Sequence, residues 1–139
     1  MAPGTAKTVS KTLRHGGISA KSAIEFIDGA VGAQGVPGEA ASVLGIISDE
    51  IVSNIVNHSG AGELSISVSR ADGPRSVTLE FSDDGPPFDP LAHADPDTSL
   101  PLEERKIGGL GILMVKRLAD AVAYERRGGR NVLAVTKRF

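Results

Sequence analysis

The sequence predicts an α+β fold, a two-layer sandwich with a mostly antiparallel, mixed sheet and helices on one face. Three observations predict it. Strand-like and helix-like segments come in clusters rather than in regular β-α-β alternation. Two pairs of alternating segments are joined by short Gly-containing turns, at Asp72-Gly73-Pro74 and near Gly128-Gly129, as antiparallel hairpins are. The chain has 139 residues, 40% of them apolar and 23% charged, which suits one domain around one core.

The elements follow in order. Val9 and Leu13 alternate with polar neighbours, the signal of an edge strand that ends at Gly16-Gly17. From Ile18 to about Val31, the residues Ile24, Ile27 and Val31 recur at helical spacing, with Ala20 and Ala23 on the flank and Gly29, Gly32 and Gly35 fraying the end. Pro37 suits the first position of a second helix, where its missing N–H costs nothing. Val43, Leu44, Ile47, Ile51 and Ile55 mark a buried stripe that runs to about His58 and stops at Ser59-Gly60-Ala61-Gly62.

Leu64, Ile66 and Val68 then alternate with three serines, and Val77, Leu79 and Phe81 alternate back as the hairpin partner. Residues 84 to 107 carry no period, and five of the chain's eight prolines fall there, so the stretch reads as a functional loop or lid. Gly108-Gly109-Leu110-Gly111 opens a third helix with Ile112, Val115, Leu118 and Ala119 on one side. The closing hairpin runs through Ala121–Tyr124 and returns through Val132–Val135.

Composition removes several function classes. Fifteen Lys plus Arg against seventeen Asp plus Glu give a net charge of -2, without the basic excess that a generic nucleic-acid binder uses against phosphates. Zero cysteines exclude a disulfide framework, a zinc ribbon and a thiol nucleophile. No apolar run reaches the roughly 18–20 residues of a membrane span, and the first seven residues lack the apolar core of a secretory signal. The expectation is a cytoplasmic single domain over residues 1–139 with a short lead at 1–7, touching neither membrane nor nucleic acid directly.

Three segments carry possible chemistry. In Asp49-Glu50-Ile51-Val52-Ser53-Asn54-Ile55-Val56-Asn57-His58, positions four apart place Glu50, Asn54 and His58 in one polar ladder on a helix. Asn is a poor helix-interior residue, and a carboxylate and an amide oxygen one turn apart can share a hard cation such as Mg²⁺. The same residues also build a plain solvated edge of an amphipathic helix. In Phe81-Ser82-Asp83-Asp84-Gly85-Pro86-Pro87, a carboxylate leaving a buried strand can accept from a ligand amine, with Gly85 admitting a flat ring. It is equally a turn sequence. In Lys106-Ile107-Gly108-Gly109-Leu110-Gly111, glycines at a helix start leave N–H groups for a phosphate, or simply cap the helix. Neither a Walker loop nor a Rossmann fingerprint is present.

The order and separation of the three segments resemble the three boxes of the GHKL superfamily of ATP-binding (Bergerat-fold) domains. Within it, the Asp-Asp-Gly-Pro-Pro-Phe-Asp-Pro and Gly-Gly-Leu-Gly-Ile boxes and the segment from Asp120 to Asn131 are similar to the anti-sigma-factor serine/threonine kinases of the RsbW type. The resemblance implies ATP and Mg²⁺ as cofactors. It places Asn54 on the Mg²⁺, Asp83 on the adenine amino group, and Gly85 beside the base. It also places Gly109, Leu110 and Gly111 around the phosphates, Lys106 or Arg105 reaching a phosphate from a lid, and Thr136 near the base. Glu50 becomes the base that acts on the incoming hydroxyl.

The implied partners are a STAS-domain anti-anti-sigma protein as phosphorylation substrate, a sigma factor to be sequestered, and a second copy of the chain in a homodimer. The alternative is a nucleotide-responsive binding module of the same fold without kinase activity. Glu50 argues against that alternative, because sequestration needs no base.

Overall fold

A computed structural model describes residues 7–73, 75–92 and 109–139. Its strands are β1 (Lys7–Arg14), β2 (Glu63–Asp72), β3 (Arg75–Asp83), β4 (Ala121–Arg127) and β5 (Arg130–Arg138). Its helices are α1 (Ala20–Ala33), α2 (Gly38–Asn54) and α3 (Gly109–Leu118). The five strands form one sheet in the order β1-β2-β3-β5-β4. Every pairing is antiparallel, so the expected mixed character is corrected: both hairpins pair internally, and β5 returns antiparallel to β3.

The pleat divides the sheet into two chemically different faces. Leu64, Ile66 and Val68 of β2 face the helices together with Val77, Leu79 and Phe81 of β3 and Leu133 and Val135 of β5, all buried. Each such side chain contributes about 1.5–3 kcal/mol by leaving water. The opposite face carries hydroxyls that bond across strands: Thr8 to Ser69, Thr12 to Ser65 and Thr78 to Thr136, each at 2.9 Å. Edge strand β1 buries Leu13 alone among its eight residues.

Helix α1 starts two residues later than the periodicity suggested. Ser19 is its N-cap, and its hydroxyl accepts from the Ser22 N–H at 3.1 Å, a contact worth ~1 kcal/mol. The helix runs through Gly29 and Gly32 instead of fraying there, because Ala23, Ile27, Ala30 and Val31 hold its face in the core. It ends where Gly35 takes φ +70°. Pro37 is the N-cap of α2 rather than its first residue, with extended ψ of 147°. Ala40, Leu44, Ile47, Ser48, Ile51 and Val52 make the buried stripe of α2. Beyond Asn54 the backbone widens into a π-helical turn, Ile55–Ser59, closed by Gly60 at φ +66°. That turn was not foreseen, and it ends the regular four-residue ladder at Asn54. The His58 side chain lies outside the described ones.

Candidate functional site

Two groups of polar side chains lie on the helix side of the sheet. One sits at the junction of α2 and α3. Glu50 and Asn54, both partly buried on α2, are linked by the Asn54 Nδ2 donating to Glu50 Oε1 at 3.3 Å. This contact engages one N–H of the amide and leaves the amide oxygen to face another partner. Gly111, in the first turn of α3, lies directly against Glu50: a Cβ there would overlap the Glu50 carboxylate. The two elements that the sequence separates by some sixty positions therefore meet through a glycine, and the absent side chain is what lets the carboxylate reach the helix start.

The second group sits where β3 and β5 end. Asp83 and Asn131 are register partners and are 5% and 6% exposed, the charged or amide groups in a row otherwise made of apolar side chains. Asp83 Oδ1 accepts from the Gly85 N–H at 2.9 Å and from Asn131 Nδ2 at 3.2 Å. Its Oδ2 carries no hydrogen bond among the described residues. Arg126, the β4 partner of Asn131, donates from Nη1 to the Gly85 carbonyl at 2.8 Å. The turn after β3 is thus tied at both its acid and its glycine.

The neighbouring Asp84 points elsewhere. Its Oδ1 accepts from the N–H groups of Gly62 and Glu63 at 2.8 and 2.9 Å, which pins the start of β2 to the residue that follows β3. The Glu63 amide holds the Asp84 carboxyl below the usual carboxylate range, with the Gly62 amide and Arg130 acting in the same direction and partial desolvation opposing them. Asp84 therefore serves the scaffold, while Asp83 is the carboxylate that faces inward.

The expected site residues divide accordingly. Glu50, Asn54 and Gly111 come together, and Asp83 stands with Gly85. Thr136 does not join them. It pairs with Thr78 on the hydroxyl face, five residues along β5 from Asn131, about 16 Å away at strand rise. The residue of β5 that meets Asp83 is Asn131. Its signal was present in the sequence: Asn131 shares the apolar parity of Leu133 and Val135, as Asp83 shares that of Val77, Leu79 and Phe81. Lys106, Arg105 and most of the expected lid lie outside the described residues, as does the Leu110 side chain.

Among the described residues no three His, Cys, Asp or Glu side chains gather into a metal cage. An amide oxygen beside one carboxylate suits Mg²⁺ instead, since that ion keeps several waters and draws other ligands from bound phosphates. The donor set of Asn54 and Glu50 fits it. The inward Asp83 oxygen and the glycine turn beside it likewise fit a flat base bearing an amine.

The chain is 30% identical over 95 residues to the serine/threonine-protein kinase BtrW of Bordetella bronchiseptica, covering 67% of each chain. A family model for the histidine kinase-like ATPase domain matches residues 18–137, from the residue before the Ser19 cap to the penultimate residue of β5. The chain belongs to the histidine kinase-like ATPase domain family.

Proposed function

We propose that this protein is an ATP-dependent serine/threonine protein kinase that is also an anti-sigma factor. Its phosphorylation substrate is a STAS-domain anti-anti-sigma protein, and it works in the cytoplasm as a homodimer. The observation that carries the reading is the Glu50–Asn54–Gly111 junction: a carboxylate that accepts from the Asn54 amide and lies against Gly111 at the start of α3. Membership of an ATPase family implies ATP, and the similarity to BtrW supports a protein hydroxyl as acceptor.

In this reading Asp83 Oδ2 accepts from the adenine amino group while Gly85 lies against the ring. The N–H groups at Gly109, Leu110 and Gly111 face the phosphates, helped by the helix dipole and by Lys106. Asn54 would hold Mg²⁺ through its Oδ1, and that ion supplies charge neutralisation on the phosphates. Glu50 takes the proton of the acceptor Ser or Thr as its oxygen bonds to the γ-phosphorus and the bond to ADP breaks. A site this sparse suffices, because positioning and charge neutralisation carry most of phosphoryl transfer.

The test is a pull-down with and without ADP, followed by incubation of the recovered proteins with ATP labelled in its γ-phosphate. Label on a Ser or Thr of a STAS-domain protein is the expected result. A nucleotide-dependent partner without label contradicts the kinase reading and leaves a sequestering module.

A further inference from the structure

Asn131 has no assigned role, yet its carboxamide has the most hydrogen-bond partners of any side chain near Asp83. Nδ2 donates to Asp83 Oδ1 at 3.2 Å and to the Pro86 carbonyl at 2.8 Å, with a longer contact of 3.5 Å to the Gly85 carbonyl. Oδ1 accepts from the Phe88 N–H at 3.0 Å and from the Tyr124 hydroxyl at 2.5 Å. A carboxamide has two N–H donors and one oxygen with two lone pairs. All four are used inside the protein, at a residue only 6% exposed. Asn131 therefore has no capacity left for a ligand.

We infer that Asn131 is a positioning residue that sets base recognition through Asp83, resting on the adenine-site reading above. Two donors, the Gly85 N–H and Asn131 Nδ2, converge on Asp83 Oδ1 and saturate it. The carboxylate cannot rotate without breaking both, so Oδ2 is the oxygen held ready for an exocyclic amine. The same amide fixes the turn through Pro86 and Phe88, which keeps the wall beside that oxygen in place. The Phe88 N–H, which can only donate, and the Pro86 carbonyl, which can only accept, fix the orientation of the amide, and the Tyr124 hydroxyl fastens it by donating to Oδ1. Base selectivity is thus built by a chain from Tyr124 through Asn131 to Asp83, and only its last member touches the ligand.

The test compares ADP with inosine diphosphate, which carries a 6-oxo group where adenine has its amine and leaves the phosphates unchanged. Asn131→Asp keeps shape and acceptor capacity but presents oxygen to Asp83, and Asn131→Ala removes both halves. Titration calorimetry should give a wild-type preference for ADP, and both substitutions should reduce the ratio of the two affinities about tenfold, the yield of one charge-assisted hydrogen bond. Tyr124→Phe removes one hydroxyl at the end of the chain and should reduce the ratio about threefold. It decides the matter if the Asn131 substitutions prevent folding. A structural role alone would weaken both nucleotides equally, so an unchanged ratio in the folded variants overturns the inference. A wild-type protein with no preference for ADP overturns the adenine-site reading itself.

Discussion

The two polar groups on the helix side of the sheet are built in opposite ways. At the strand end, Asp83, Gly85, Asn131, Tyr124 and Arg126 form a network in which nearly every donor and acceptor has a fixed partner. At the helix end, Glu50 and Asn54 share one contact of 3.3 Å and lean on a glycine. A network of that density specifies shape before any ligand arrives, and removing one member leaves others unpaired. A pair with free valence specifies little by itself and waits for charge to complete it. Recognition belongs to the first kind of construction and chemistry to the second, because a group that must take a proton cannot already be saturated.

The largest effect expected from breaking this contrast is at the helix end. Glu50→Gln should slow phosphoryl transfer by ~10²–10⁴, the usual contribution of a positioned base, while leaving nucleotide binding intact. Asn54→Ala should lose Mg-nucleotide affinity and transfer together. Single-turnover labelling alongside calorimetry separates the two, and equal loss of binding in both variants would remove the distinction between them.

Gly111→Ala probes the same junction from the other helix. Alanine is favoured over glycine within a helix by up to ~1 kcal/mol. The group that its Cβ displaces is the movable end of a side chain, so folding stability should change by less than about 1 kcal/mol. The displaced carboxylate is nevertheless out of place, and a misplacement of about an ångström can cost about 10²-fold in rate. Thermal melts and single-turnover rates check this. Combining it with Glu50→Gln should add almost nothing, since both remove the same base.

At the strand end the expected losses are in affinity rather than rate. Asp83→Ala removes a charged acceptor, worth about 1.5–3 kcal/mol or roughly ten- to hundredfold in ADP affinity. Asp83→Asn keeps the size and an oxygen, yet it sets an NH2 against the Gly85 N–H or the base amine. It should fall in the same range.

The smallest effect is on pH dependence, and it concerns scaffold carboxylates outside both groups. Asp84 is held below the ordinary carboxylate range chiefly by the Glu63 amide, and Asp120 chiefly by the Arg138 amide with help from Lys137. A depressed folded value means that their stabilisation is complete above the ordinary value and fades as pH falls through the folded one. Melting temperature should therefore drop on acidification below the ordinary carboxylate range. Asp84→Asn and Asp120→Asn should flatten that slope, and an unchanged slope in the double variant would assign the acid sensitivity elsewhere.

What the sequence revealed follows the same division. Periodicity and turn signals located the three α-helices and the five strands, because the buried faces of α2, β2 and β3 repeat without interruption. Glu50, Asn54 and Asp83 were visible as polar residues set into those faces. The close contact of Glu50 with Gly111 was not, since it joins helices distant in the chain and depends on a side chain that is missing. The π-helical turn was hidden too: Ile55 and Val56 continue the apolar character of α2, and widening by one residue leaves no compositional mark. Thr136 was placed by the family resemblance, whereas strand parity puts it on the hydroxyl face and gives Asn131 the place beside Asp83.

The most direct measurement is ADP affinity and single-turnover transfer determined together on Glu50→Gln and Asp83→Ala. The account predicts a crossed result. Glu50→Gln binds ADP like the wild type and transfers ~10²–10⁴ more slowly, whereas Asp83→Ala binds roughly ten- to hundredfold more weakly but transfers near the wild-type rate once saturated. Loss of both properties in both variants would contradict a division of labour between the two ends of the site.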